Sequence, residues 1–139
     1  MMVSRFSLAL LAAVALAAAG CQLKSAPSAG SNYVTADPST FVLHSVDRFE
    51  DPGGTETSSL IVVVRATYTN PEQNPEMITP SKFQLLDPNL MAVYYGLSGG
   101  NINVPSMPDT ELAPGKSVDI AVAFRVPSSM TTARLTYRP

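Results

Sequence analysis

From residue 38 onward the sequence predicts an all-β fold, an antiparallel β-sandwich of about seven strands, on three observations. Apolar side chains recur with a period of two through two long β-branched runs, which puts them on one face of a pleated strand. No segment after residue 40 sustains the 3.6-residue period of a helix. Twelve prolines and a series of Pro, Gly, Asn and Asp clusters cut the chain at short intervals, the punctuation of turns between strands.

The strands follow in chain order. "TFVLHSVDRF" is the first candidate, closed by Asp51-Pro52-Gly53-Gly54. "LIVVVRATYTN" sets Leu60, Val62, Val64, Ala66 and Tyr68 on one face against Arg65, Thr67 and Thr69 on the other, and predicts a central strand. "KFQLLD" and "LMAVYYG" flank Asp87-Pro88-Asn89, and "NINV" is a further short candidate. "KSVDIAVAFRVP" alternates most cleanly, with Val118, Ile120, Val122, Phe124 and Val126 opposed to Ser117, Asp119 and Arg125, and Pro127 ends it by removing a ladder donor. "ARLTYR" is the last. The stretch Val93–Pro114 is interrupted by Gly and Pro and reads mostly as a long exposed loop, the kind of segment in which binding sits.

The first 20 residues read as a processing segment. Arg5 supplies a positive start, and Leu8–Ala19 is an uncharged apolar run of twelve residues, too short for the roughly 20 residues that span a bilayer. The run ends in Leu16-Ala17-Ala18-Ala19-Gly20-Cys21, which resembles the lipobox of bacterial lipoproteins, with Ala18 where that family prefers Leu. The resemblance implies that the Cys21 sulfur receives a diacylglycerol and that cleavage before it makes Cys21 the first mature residue. Gln22, in place of the Asp that retains lipoproteins at the inner membrane, implies outer-membrane sorting in a host with two membranes. Residues 21–37, rich in Ser, Ala, Gly and Pro, read as a flexible tether with too few large apolar groups to fold alone.

The order of "SSLIVVVRATYTN", "ITPSKFQLLD", "ELAPGKSVDIAVAFRVPSS" and "ARLTYRP" resembles the extracellular immunoglobulin-like domain of unknown function common in bacterial lipoproteins. That family is similar in its sandwich to a secreted mycobacterial immunoprotective antigen. The resemblance covers residues 38–139 and implies an immunoglobulin-like sandwich and an envelope location, but no catalytic residues. The family's Asp-x-x-Gly turn is absent, since Asp87 is followed by Pro88-Asn89-Leu90. On the residues themselves these positions are architectural. Phe83 and Leu85 share an inward face, Pro114-Gly115 opens a strand tightly, and Asn70 bonds locally at a strand exit.

Composition narrows function by exclusion. Charged residues are 14% of the chain, and without Arg5 eight basic residues face eleven acidic ones, a balance that offers no clustered basic face for nucleic acid. The single cysteine forms neither an internal disulfide nor a Cys-rich zinc site. His44 is the one histidine, so any Ser-His-Asp machinery must use it, and no nucleophile elbow or phosphate-binding Gly-rich loop occurs. Asp47, Glu50, Asp51 and Glu56 gather acid around a Pro-Gly-Gly loop, in a spacing that fits no EF-hand. Met77, Met91, Met107 and Met130 lack the close spacing of a soft-metal site and read as core fillers or loop anchors.

These readings predict no catalytic residues, no cofactor and no metal. The expected function is that of a lipid-anchored cell-envelope module that meets the membrane through its anchor and an envelope protein through its loops. The candidate contact region is Tyr95 with the following loop, including Asn101, Asn103 and Met107, because exposed aromatics enrich recognition surfaces. The alternative is a periplasmic sensor domain that binds a small ligand or a metal.

Overall fold

The structure, a computed structural model, describes residues 34–51, 59–89, 91–97, 107 and 109–139. Nine strands form among them: β1 (Val34–Ala36), β2 (Phe41–Glu50), β3 (Ser59–Thr69), β4 (Glu76–Ile78), β5 (Phe83–Asp87), β6 (Ala92–Tyr95), β7 (Thr110–Leu112), β8 (Ser117–Pro127) and β9 (Ala133–Tyr137). A single 3₁₀ turn, Pro80–Lys82, precedes β5. A three-stranded sheet in the order β2-β3-β8 packs against a four-stranded sheet in the order β1-β9-β5-β6, and β4-β7 forms a short two-stranded flap. The chain is an all-β sandwich.

The two long alternating runs become the two longest strands, and they lie side by side. β3 pairs with β8 in unbroken antiparallel register from Ser59↔Pro127 to Thr69↔Ser117, with β2 on its other side. β3 is therefore central, as its sequence predicts. Val62, Val64, Ala66 and Tyr68 from β3 meet Ile120, Val122, Phe124 and Val126 from β8 on the inner face. Phe83 and Leu85 of β5 and Ala133 and Leu135 of β9 close over them from the other sheet, all buried. An aromatic cluster ties the sheets at one end. Tyr68 lies 5.5 Å from Phe83 and 4.8 Å from Tyr137, and Phe41 lies 5.3 Å from Tyr68, centroid to centroid. Tilted and edge-on pairs of this kind add about 0.5–1.5 kcal/mol each beyond area burial.

Several strand expectations change in the structure. The count rises from about seven to nine because β1, β4 and β7 are three residues each, too short for periodicity to register. The candidate strand at 101–104 lies outside the described residues. The sandwich is not wholly antiparallel, since β1 pairs with β9 in parallel. β1 also falls inside the expected tether over 21–37. Val34 is buried opposite Ala133, and one apolar contact joined to a backbone ladder suffices to hold three residues in the sheet. In β2 the pairing slips by one residue between Leu43 and Ser45, a bulge at His44 that keeps both Leu43 and Val46 opposite the inner-facing residues Ala66 and Val64.

The Val93–Pro114 stretch is not simply an exposed loop. Its first residues belong to β6, its last described ones include β7, and Gly96 and Leu97 are pinned between the sheets. The Gly96 N–H donates to Phe83 O at 2.9 Å and the Leu97 N–H to Ala123 O at 2.8 Å, so the chain steps from β5 to the edge of β8 in two residues. A Cβ at Gly96 would lie 2.0 Å from Pro80 O and 2.6 Å from a Val122 methyl. Gly115 is required for a different reason. It adopts φ +72°, and with the Lys116 N–H donating to Ala113 O it completes the turn predicted at Pro114-Gly115. A Cβ there meets nothing within 4 Å.

The two glycines thus separate steric from conformational demand. Gly115→Ala is expected to lower unfolding free energy by about 1 kcal/mol, and Gly115→Asn by less, because Asn tolerates left-handed backbone. Gly96→Ala is expected to cost about 3 kcal/mol or more, since backbone oxygen must move. Urea unfolding of the three variants checks the order; equal losses for the two alanine substitutions would refute it.

Candidate interaction surface

Polar groups on the outer face of the three-stranded sheet organise around β3. Thr67 sits between His44 on β2 and Asp119 on β8. Its hydroxyl donates to Asp119 Oδ1 at 2.6 Å and lies 2.7 Å from His44 Nε2. Having given its one proton to the carboxylate, the hydroxyl accepts from the imidazole, which places a hydrogen on Nε2. The hydroxyl stands in the middle of this chain, whereas a serine-hydrolase arrangement places the imidazole between hydroxyl and carboxylate. Beside it Thr69 and Ser117 hydroxyls meet at 2.7 Å. The array cross-links three strands on an exposed face.

The acidic residues around the first turn take separate duties. Asp51 accepts from Arg125 Nε at 2.6 Å and Nη2 at 3.2 Å, and from the Ser59 hydroxyl at 2.9 Å, with its own side chain almost wholly buried. The pair ties the end of β2 to β8 across β3. Asp47 and Glu50 stand three register positions apart on opposite faces of β2, opposite Val63 and Leu60, and Glu56 lies outside the described residues. Among the described residues no three His, Cys, Asp or Glu side chains gather as a metal site. The methionines are likewise apart: Met130 is buried in the core, Met107 packs against it, and Met77 and Met91 are exposed.

Of the candidate contact residues, Tyr95 is 58% exposed on β6, an edge of the four-stranded sheet. Its neighbour Tyr94 faces the core. Met107, expected with the loop, packs against the main core cluster, so it anchors that segment rather than presenting itself. Asn101, Asn103 and Cys21 lie outside the described residues. What the sequence reading missed is the company Tyr95 keeps. Val93 and Met91 are exposed on the same hairpin, and a groove of about 570 Å³ runs beside it, lined by Thr35, Leu86, Pro88, Met91, Val93 and Arg134 among others. The signal was present in "LMAVYYG", whose period of two places Val93 and Tyr95 together on the face opposite Tyr94.

A second, smaller cavity of about 200 Å³ opens at the aromatic end, lined by Phe41, Tyr68, Tyr137, Glu72 and Arg134 among others. The Tyr68 hydroxyl donates to Glu76 at 3.1 Å, and burial, reinforced by the Glu76 charge, drives its pKa far above the ordinary 10.0. Burial also raises Tyr94 and Tyr137. Nearby, Asp37 is held below the usual carboxylate range by the backbone N–H and hydroxyl of Ser39.

A tyrosine with a raised folded-state pKa keeps its proton where the unfolded chain loses it. Its contribution is therefore complete below about pH 10, the unfolded value, and declines as pH rises beyond it. The urea midpoint is expected to hold to about pH 9 and fall above about pH 10, more shallowly in Tyr68→Phe. Equal slopes for the two proteins would remove Tyr68 from the account.

Comparison with protein-family profiles, with curated proteins and with solved structures returns no match.

Proposed function

We propose that this chain is a lipid-anchored cell-envelope lipoprotein whose β-sandwich serves as a protein-interaction or structural module, without catalysis. The observation that carries this reading is the apolar run ending in Ala18-Ala19-Gly20-Cys21, thirteen positions ahead of the first strand at Val34. Acyl chains on a terminal cysteine hold a protein to a bilayer by burial of CH₂ groups, about 0.8 kcal/mol each, without any spanning element. Among the described residues no helix is long and apolar enough to cross a membrane; in this reading attachment falls to the lipid on Cys21. The immunoglobulin-like character, the envelope location and outer-membrane sorting belong to the same proposal.

The sandwich supports the module reading through its exposed edge. Tyr95 offers a large aromatic surface at low conformational cost, on β6 at the edge of the four-stranded sheet. The partner is an envelope protein. Its capture tests the claim: a photo-cross-linking residue at position 95 is expected to yield one discrete adduct in intact cells, and the same residue at Val42, exposed on the other sheet, none.

Fractionation tests the anchor. Cys21→Ala is expected to move the chain from the membrane to the soluble fraction and to abolish incorporation of a labelled fatty acid. Persistence of the variant in the membrane fraction, without the label, would overturn lipid anchoring.

A further inference from the structure

Among the described residues the exposed large apolar side chains are Val42, Met77, Met91, Val93 and Tyr95. Three of the five fall within one five-residue stretch of the β5–β6 hairpin, and the most exposed of all, Met91 at 89%, adopts φ 53°. A left-handed, solvent-facing position is one where Gly or Asn costs less than Met, and where burial gives Met no return. Neither the turn nor the core explains a thioether there.

The register shows which end of the molecule this is. Val34 pairs with Ala133, Leu86 with Arg134, and Asp87 with Ala92, so the start of β1, the start of β9 and the β5–β6 hairpin share one end of the four-stranded sheet. The chain that carries residues 1–33 joins the sandwich at this end. Thr35, the second residue of β1, lines the same groove as Met91, Val93 and Leu86. Tyr95 lies at the opposite end of β6, opposite Gln84, which in turn pairs with Thr136. Val42 adjoins Phe41, whose ring meets Phe83 at 6.2 Å, and so it too belongs to the far end.

Two charged residues line the groove. Asp87 is buried and accepts the Asn89 N–H at 2.9 Å, while Arg134 is exposed. Arg134 also lines the aromatic-end cavity, where its charge reaches the Asp37 carboxylate. A guanidinium beside an apolar groove matches the phosphate layer of a bilayer above its acyl chains, the arrangement by which amphipathic surfaces seat at an interface.

We infer that the Met91–Val93 groove end of the sandwich docks on the lipid surface to which the chain is tethered, with Met91 set among the headgroups and Arg134 beside lipid phosphate. The inference rests on the anchoring proposed above. Cys21 is thirteen residues from Val34, a link that cannot exceed roughly 47 Å at 3.6 Å per residue. Within that radius the effective concentration of bilayer is high enough for a contact too weak to form from free solution to be populated. Docking in this pose turns Tyr95 away from the bilayer.

Because Cys21 is the one cysteine, full-length Met91→Cys and Val42→Cys variants each carry a single added thiol, both at exposed positions that tolerate exchange. Membranes from expressing cells, opened by sonication, are treated with a bilayer-impermeant maleimide, with the unsubstituted chain as the background. Met91→Cys is expected to react at least tenfold more slowly than Val42→Cys, to match it once lipid is extracted in mild detergent, and to be partly deprotected by Arg134→Glu. Equal rates in membranes, with the chain still membrane-bound, would overturn the docking and leave the anchor standing. Protection that survives lipid extraction would assign the cover to a protein and overturn the lipid surface as occupant. Recovery of the chain in the soluble fraction would defeat the anchor and the docking together.

Discussion

The unbroken pairing of β3 with β8 is the constraint around which the molecule is arranged. Over its eleven residues β3 carries an apolar side chain at each inner-face position from Leu60 to Tyr68, so the strand must be covered along most of its length. β8 repeats the pattern in register. At one end the demand becomes two-sided, because Ile61 and Val63 on the outer face are as fully buried as Val62 and Val64 on the inner one. With Ala123 they form a second small core, closed by Phe49 and Leu97. A strand buried on both faces reads as a continuous apolar run, and "LIVVV" is that run. The step of Gly96 and Leu97 from one sheet to the other follows from it, since it delivers the side chain that covers the outer cluster.

Asn70 governs the opposite end of β3. It is buried, and each of its polar groups is used. Its Nδ2 donates to Asn74 O and Leu112 O, its Oδ1 accepts the Glu72 N–H, its own N–H reaches Lys116 O, and its carbonyl accepts from Gly115. One amide therefore holds the strand exit, the loop after it, the β7 flap and the turn into β8. Aspartate has nearly the same shape but no Nδ2 hydrogens, so it would leave two carbonyls facing a carboxylate in a buried site, which is more costly than their simple loss. The aromatic cluster lies just inside this lock, where Tyr68 joins it to the flap through Glu76.

What the sequence made legible was whatever depends on neighbours along the chain. The faces of β3 and β8, the inward pair Phe83 and Leu85, the Pro114-Gly115 turn and the local bonding of Asn70 are all set by period or by turn chemistry, and all stand in the structure. What escaped depends on partners distant in sequence. Val34 is one apolar residue among small ones, and its place in the sheet is decided by Ala133. The steric need for glycine at position 96 comes from Pro80 and Val122. The bulge at His44 changes which of the later β2 residues face inward, and nothing in "VLHSV" announces it. The exposed site was half legible: Tyr95 was readable as an aromatic at a turn, whereas the groove exists because β1, β5, β6 and β9 end together.

Sheet edges bear on the contacts proposed for β6. A sheet edge invites pairing with other chains, and proteins blunt it with charge, bulges, shortness or cover. β2 has the bulge at His44 together with Asp47, Arg48 and Glu50. β8 is capped in part by the Leu97 N–H and carries Arg125 in its pair with Asp51. β1 is three residues long. β6, "AVYY", has none of the charge, and its outward side chains are apolar. The stretch from Met91 to Tyr95 differs at its two ends in what suits it. Met91, an unbranched thioether beside an arginine, adapts to a fluid lipid boundary, while Tyr95, rigid and amphipathic, suits a folded partner. In the proposed pose the stretch from Met91 to Tyr95 thereby separates a membrane-facing end from a partner-facing one.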